Sequence, residues 1–258
     1  MNEGEALLAL ATTAAMRTGD LLLERFRRPA VGVESKSSPT DLASDADRDA
    51  EDLLLDVIST ERPGDGVIGE EGARKDSSSG LSWVIDPLDG TINFLFGIPV
   101  WCVSIAIRDE TDTIVGVVHD PNRNETFTAI RGGGTRRNGT EIAVSQRGDL
   151  AAALIGTGFS YDAQARSEQA LLLTKVLPRV RDVRRAGSAA LDLASVSCGR
   201  LDGFYEAPME QWDKAAGVLL ITEAGGVVSE LPAPFGLSPG VIAGGPVVHD
   251  YLKTLLLG

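Results

Sequence analysis

The chain has 258 residues, 43% of them hydrophobic and 24% charged, enough for one large domain or two of ordinary size, and wholesale disorder is excluded. A formal net charge of -13 argues against a nucleic-acid binder, which needs a basic patch to displace counterions. A small anionic substrate stays open, because a bound dication reverses the field locally.

Residues 4 to 26 carry an apolar stripe at helical spacing that ends at Arg27-Arg28-Pro29. Acidic residues stand where a signal peptide has basic ones, and Arg17, Asp20, Glu24 and Arg25 interrupt the run. No later segment approaches a charge-free span of about 20 apolar residues, so a soluble, cytoplasmic chain without membrane contact is expected. A second helix is expected over about 43 to 59, with Leu53, Leu54, Val57 and Ile58 on its buried side; its first part, TDLASDADRDAED, reads as too acidic for the core. Strands follow at 82 to 86, 100 to 108, 113 to 119 and 124 to 130, and then RGGGTRRNGTEIAVS supplies two tight turns around a short strand.

Beyond about residue 147 the rhythm changes. A strand in AALIGTGF precedes a helix over 163 to 177, a helix over 188 to 198, a strand at 201 to 205 and a helix from Trp212 to Ala224. Strands at 226 to 229 and 241 to 243 and a helix near 247 to 256 complete the chain. A hairpin-rich half followed by helix–strand alternation predicts an α+β domain over 1–147 and an α/β domain over 148–258.

Cys102 and Cys198 lie in apolar segments with no metal-ligand spacing and read as reduced core residues, against a smaller chance of a redox or metal role. His119 and His249 are the only histidines, so metal chemistry must rest on carboxylates. Asp41 and Asp47, Glu70 and Glu71, Asp86 and Asp89, and Asp213 form four acidic clusters. Asp47 could be a solvated helix face, the Glu70-Glu71 pair an ordinary loop, and Asp213 a helix N-terminus preference. Asp86 and Asp89 resist so bland a reading. They sit in WVIDPLDGTINF, at the C-terminal end of an apolar strand, where sheets place ligands and where buried carboxylates need a cation. Oxygen ligands alone select Mg²⁺, Mn²⁺ or Ca²⁺, and two such ions suit phosphoryl transfer. Thr91 could then position a water while Asp47 accepts from its hydroxyl. The amides of Gly90 and Thr91, and the helix start at Gly187-Ser188-Ala189, could hold phosphate or a polyol.

In these residues the sequence resembles the inositol monophosphatase family. Gly69-Glu70-Glu71, the stretch Asp-Pro-Leu-Asp-Gly-Thr-Ile-Asn-Phe from Asp86 to Phe94, Gly-Ser-Ala-Ala from Gly187, WDKAAG at 212 to 217 and EAGG at 223 to 226 appear in the family's order. Lys36, SSPTDL and Asp47 match its N-terminal part. The resemblance implies a layered α-β-α-β-α sandwich that forms a homodimer, and a lithium-sensitive phosphomonoesterase. It implies that Glu70, Asp86 and the carbonyl of Leu88 hold one Mg²⁺, and that Asp86, Asp89 and Asp213 hold a second. Glu70 would help place a third, weaker ion. Thr91 with Asp47, and Glu70, would serve catalysis; Glu206 would bind substrate hydroxyls, with Asp89, Gly90, Thr91, Gly187, Ser188, Ala189 and Asp213 also on the substrate. Inositol 1-phosphate is the first-choice small-molecule ester. Histidinol phosphate, fructose 1,6-bisphosphate, 3'-phosphoadenosine 5'-phosphate and a non-catalytic regulatory protein are the alternatives. Arg184 and Arg185 are candidates for a second phosphate or merely surface charges. The polar segment EGARKDSSSGLSW implies a shortened loop beside the first metal.

Overall fold

A computed structural model describes residues 2–27, 32–35 and 42–258; Lys36 and Asp41, like Arg28 and Pro29, lie outside the described residues. Helix α1 (Glu3–Phe26) opens on a capping box in which Asn2 Oδ1 accepts from the Glu5 amide at 2.9 Å. It is long and apolar enough to cross a membrane by composition, yet Leu7, Ala11, Ala15 and Leu22 are buried. Its apolar stripe is a core face.

Short strands β1 (Glu34–Ser35) and β2 (Leu42–Ala43) pair ahead of α2 (Asp45–Glu61). The first half continues through β3 (Gly66–Gly69), β4 (Arg74–Lys75), β5 (Ser82–Asp89), helix α3 (Thr91–Leu95), β6 (Cys102–Arg108), β7 (Thr113–Asp120), β8 (Glu125–Ile130), β9 (Thr135–Arg137) and β10 (Thr140–Ile142). Strands β3 to β10 form one sheet in the order β10-β9-β8-β7-β6-β5-β3-β4, antiparallel except where β3 runs parallel to β5. The segment read as a shortened loop is a pinned turn and strand. Lys75 Nζ donates to Pro63 O at 2.6 Å and Ser79 Oγ to Asp65 Oδ1 at 2.7 Å.

The second half supplies β11 (Leu154–Thr157), α4 (Ala163–Val176), β12 (Asp182–Arg184), α5 (Ala189–Ser197), β13 (Gly203–Glu206), α6 (Gln211–Glu223), β14 (Val227–Leu231), β15 (Gly240–Gly244) and α7 (Pro246–Leu257). Its sheet has the order β12-β11-β13-β15-β14, parallel at β12-β11-β13 and antiparallel beyond. Alternation of elements predicts crossovers but not the direction in which the last strands return.

Four hydrophobic clusters mark the seams of the layers. One joins α1 and α2 to the first sheet, and a second joins that sheet's other face to α5 and α6. A third joins α5 and α6 to the second sheet, and a fourth covers that sheet with α4 and α7. Among the described residues the layers therefore run α-β-α-β-α. Cys102 is buried in the second seam, whereas Cys198, also expected in the core, is only part-buried because it follows the last turn of α5.

The start of α2 departs from expectation. Its acidic first turns read as too charged for the core, yet Asp47 and Glu51 are buried with Ala46 and Ala50. Polar partners explain both. Ser44 donates to Asp47 Oδ2 from its amide at 2.8 Å and from its hydroxyl at 2.7 Å, and Glu51 Oε1 accepts from the Glu71 amide at 3.1 Å.

Candidate active site

Apolar residues Trp83, Val84 and Ile85 bury β5 on both faces, which carries the strand's last residues into the interior. Pairing with β6 breaks register between Asp86 and Asp89, so the chain bulges where its two aspartates emerge. Gly90 ends the bulge at φ 100°, and a Cβ there would lie 2.9 Å from Val100 O. Only glycine makes this turn without strain and a close contact.

The turn aims Thr91 at α2. Thr91 Oγ1 donates to Asp47 Oδ1 at 2.9 Å and lies 3.1 Å from Leu88 O. Ser44 holds the other Asp47 oxygen, so capping of α2 and orientation of Thr91 share one carboxylate. Two residues on, Asn93 Nδ2 donates to Val100 O and Ala186 O, both at 2.8 Å, and so ties this turn to the approach of α5.

Asp89 reaches across the middle layer. Its Oδ2 accepts from Ser188 Oγ at 2.6 Å and from the Ala190 amide at 2.7 Å, while Oδ1 accepts from the Ala189 amide at 3.3 Å. The helix start at Gly187-Ser188-Ala189, read as a phosphate or polyol cradle, thus first receives a protein carboxylate. Asp86 accepts from the Leu88 amide at 3.0 Å. Glu70 follows β3, whose parallel pairing with β5 brings it beside Asp86. Asp213, in the first turn of α6, accepts from the Glu210 amide at 2.6 Å.

Glu70, Asp89 and Asp213 face one cavity of about 390 Å³, lined among others by Gly90, Gly187, Ser188, Ala189 and Glu206. Thr91, Asp86 and Leu88, on the same turn as the lining residues Asp89 and Gly90, are all three buried. Burial, then the charges of Glu70 and Asp89, raise Asp86 well above the carboxylate range; the same order of causes raises Asp213. Asp89 rises to about 6 through burial, opposed by its bonds to Ser188 and Ala190.

Such mutual repulsion among oxygen donors fits a hard divalent cation, which would relieve it. The acids are gathered but not closed into a cage. Among the described residues no three His, Cys, Asp or Glu side chains are grouped as a ready ion-holding set, and Asp89 and Asp213 accept from amides at the starts of α5 and α6.

Sequence reasoning passed over Asp192, which lines the same cavity one turn into α5. Burial and the charge of Asp89 raise it to about 8 against the opposing Arg185. Glu206, the last residue of β13, is likewise raised to about 8 by burial and by Asp192. Of the two arginines left open, Arg184 turns to Asp182 at 2.6 Å, while Arg185 lines the cavity. The glycine at 158 was the available signal for Glu206, because a side chain there would overlap its carboxyl group, and nothing local marked Asp192.

A family-wide profile described as the inositol monophosphatase family matches residues 3–256. A protein named inositol-1-monophosphatase from Mesorhizobium japonicum is 41% identical over 251 residues, covering 96% of this chain and 94% of that one. Nus factor SuhB from Escherichia coli is 39% identical over 246 residues, covering 94% and 92%. The crystal structure of extragenic suppressor protein suhB from Bartonella henselae superposes with a TM-score of 0.92 at 36% identity, covering 97% and 98%.

Proposed function

Because this chain belongs to the inositol monophosphatase family, we propose that it hydrolyses the phosphate monoester of a small polyol, with inositol 1-phosphate as the preferred substrate. One observation carries the proposal: Thr91 Oγ1 is fixed between Asp47 Oδ1 and Leu88 O, directly beside the buried Asp86 and Asp89.

Glu70, Asp86, the carbonyl of Leu88, Asp89 and Asp213 would hold two Mg²⁺ ions, with a third, weaker one near Glu70. When bound, these ions supply Lewis-acid stabilisation of charge on the phosphoryl and leaving oxygens. Thr91 donates to Asp47, which leaves its oxygen lone pairs to accept a hydrogen of the attacking water. As the water oxygen bonds to phosphorus and the bond from phosphorus to the ester oxygen breaks, the water proton passes to Thr91 Oγ1 and the threonine proton to Asp47, while the departing alkoxide takes a proton from a second water and the hydroxide so formed collects the proton from Asp47. Glu206 meets the hydroxyls of the alcohol half.

The name of the Escherichia coli relative suggests a regulatory role for that protein. Catalysis is the reading favoured here, because Asp47, Glu70, Asp86, Asp89, Thr91 and Asp213 are all present and grouped around one cavity and its wall. A homodimer accords with the family.

The substrate is tested by kcat/KM with Mg²⁺ over inositol 1-phosphate, histidinol phosphate, fructose 1,6-bisphosphate and 3'-phosphoadenosine 5'-phosphate, for wild type and Glu206→Gln. Inositol 1-phosphate is expected to lead, with a selective loss for polyols in the variant. A lead of about tenfold by another ester, with the variant indifferent, overturns the substrate assignment.

A further inference from the structure

We infer that Arg185 and Asp192 are specificity-determining residues that, together with Glu206, select an uncharged alcohol half carrying neighbouring hydroxyls. The inference rests on the phosphatase reading above and concerns the far end of the same cavity.

Three features make that end a built site. First, β11 and the residue after it present Gly156 and Gly158 on one face, two positions apart. A Cβ at Gly158 would overlap Glu206 Oε2, whereas one at Gly156 would press on Leu201 and Phe204, with Asp192 Cγ at 3.6 Å. The bare Gly158 leaves the space that the Glu206 carboxyl group occupies, and Asp192 lines the cavity beside it. Second, Arg185 is the one lysine, arginine or histidine lining the cavity among the described residues. Third, its guanidinium lies over the turn at Gly187 (φ 97°), where a Cβ would stand 2.7 Å from Arg185 Nη1. Arg184, its neighbour, is engaged by Asp182 outside the cavity.

The chemistry of the trio defines what it takes. Glu206 and Asp192 accept hydrogen bonds when ionised, and Arg185 only donates. A vicinal diol matches this pattern, since each hydroxyl donates once and accepts as well. An aryl alcohol leaves all three groups unmatched in a partly desolvated pocket, which costs more than a missing contact in an apolar one. A second phosphate would gain Arg185 but also meet the carboxyl groups of Asp192 and Glu206, which both feel the Arg185 charge. Arg185 therefore acts as a hydroxyl donor beside two acceptors and not as an anchor for a bisphosphate.

The experiment measures kcat and KM with Mg²⁺ on inositol 1-phosphate, 4-nitrophenyl phosphate and fructose 1,6-bisphosphate, for wild type, Arg185→Gln, Arg185→Lys and Asp192→Asn, with thermal melting as a folding control. Arg185→Gln and Asp192→Asn are expected to lose about tenfold or more in kcat/KM on inositol 1-phosphate, mainly through KM, yet stay within about threefold of wild type on 4-nitrophenyl phosphate. Arg185→Lys should recover only part of the loss, because an ammonium lacks the planar fork. Equal losses on both monoesters, no loss on inositol 1-phosphate, or a loss confined to the bisphosphate would overturn the assignment. A wild type inert toward all three esters would sink the phosphatase reading and this inference with it. An active wild type with indifferent variants would sink this inference alone.

Discussion

Ser188 Oγ stands 2.6 Å from Asp89 Oδ2, so the first residue before α5 holds the carboxylate that leaves the end of β5. The two are 99 positions apart in the chain. Their bond joins the two halves of the cavity and fixes one oxygen of a proposed metal ligand.

Ser188→Ala should therefore weaken Mg²⁺ dependence without removing any ligand. Outer partners of metal ligands typically control about 10- to 100-fold in affinity or activity. A Mg²⁺ titration of activity should show the half-saturating concentration rising by about tenfold or more. An unchanged titration curve would mean that Ala189 and Ala190 amides alone hold Asp89.

Thr91→Ala removes the hydroxyl held by Asp47 and Leu88 O. Turnover should fall on the order of 10² to 10⁴-fold with little change in KM, because the lost group acts on the water and not on the bound ester. A raised KM with normal kcat would make Thr91 a binding residue.

The pH dependence of the metal-free protein follows from Asp192 and Glu206, both raised to about 8, chiefly by burial. Their unfolded values lie near 4. A folded state that binds protons more tightly than the unfolded chain is most stable below the unfolded pKa and loses that stability as pH rises through the folded one. In chelator, the melting temperature should drop between about pH 4 and pH 8. Asp192→Asn should flatten the drop, and Mg²⁺ should restore stability at the alkaline end by binding the folded state. A melting temperature that rises over this interval contradicts the burial of these acids.

Gly90→Ala tests the turn itself. A side chain there requires both a left-handed φ and room against Val100 O, which is 2.9 Å from the Cβ position. The strain is on the order of 1 to 3 kcal/mol, and a domain of this size should melt several degrees lower. Unchanged melting together with unchanged activity would show that the turn adjusts freely.

How much of this was legible in sequence depended on how local the cause was. WVIDPLDGTINF announces itself because an apolar strand, a stiff proline, two acids and a glycine turn stand side by side. The bond from Thr91 to Asp47, 44 positions away, was anticipated, but the burial of Asp47 was not, because its neighbours in α2 are acidic. The short strand β3 was missed for a similar reason: Gly66 and Gly69 carry little strand preference, and parallel pairing to β5 supplies what the sequence lacks. Asp192 hides inside the apolar run AALDLA, and only its place one turn into α5 shows that it opens onto a cavity. The order of the family's motifs, by contrast, was enough to anticipate the five layers.

Lithium offers a graded check on the ligand set. If Asp86, Asp89 and Asp213 hold the second cation, millimolar Li⁺ should inhibit and added Mg²⁺ should shift the inhibition, since both compete for carboxylate oxygens. Indifference to Li⁺ would indicate that this position is built differently.

The central claim is that the acids from β5 and α6 carry Mg²⁺-dependent phosphate release. Its most direct test is a Mg²⁺ titration of phosphate release from inositol 1-phosphate by wild type, Asp89→Asn and Asp213→Asn, each shown folded by thermal melting. Expected is a saturable Mg²⁺ requirement in wild type and no turnover above background in either variant, because an amide cannot supply the ligand charge. Near-normal, Mg²⁺-dependent rates in both folded variants would contradict it.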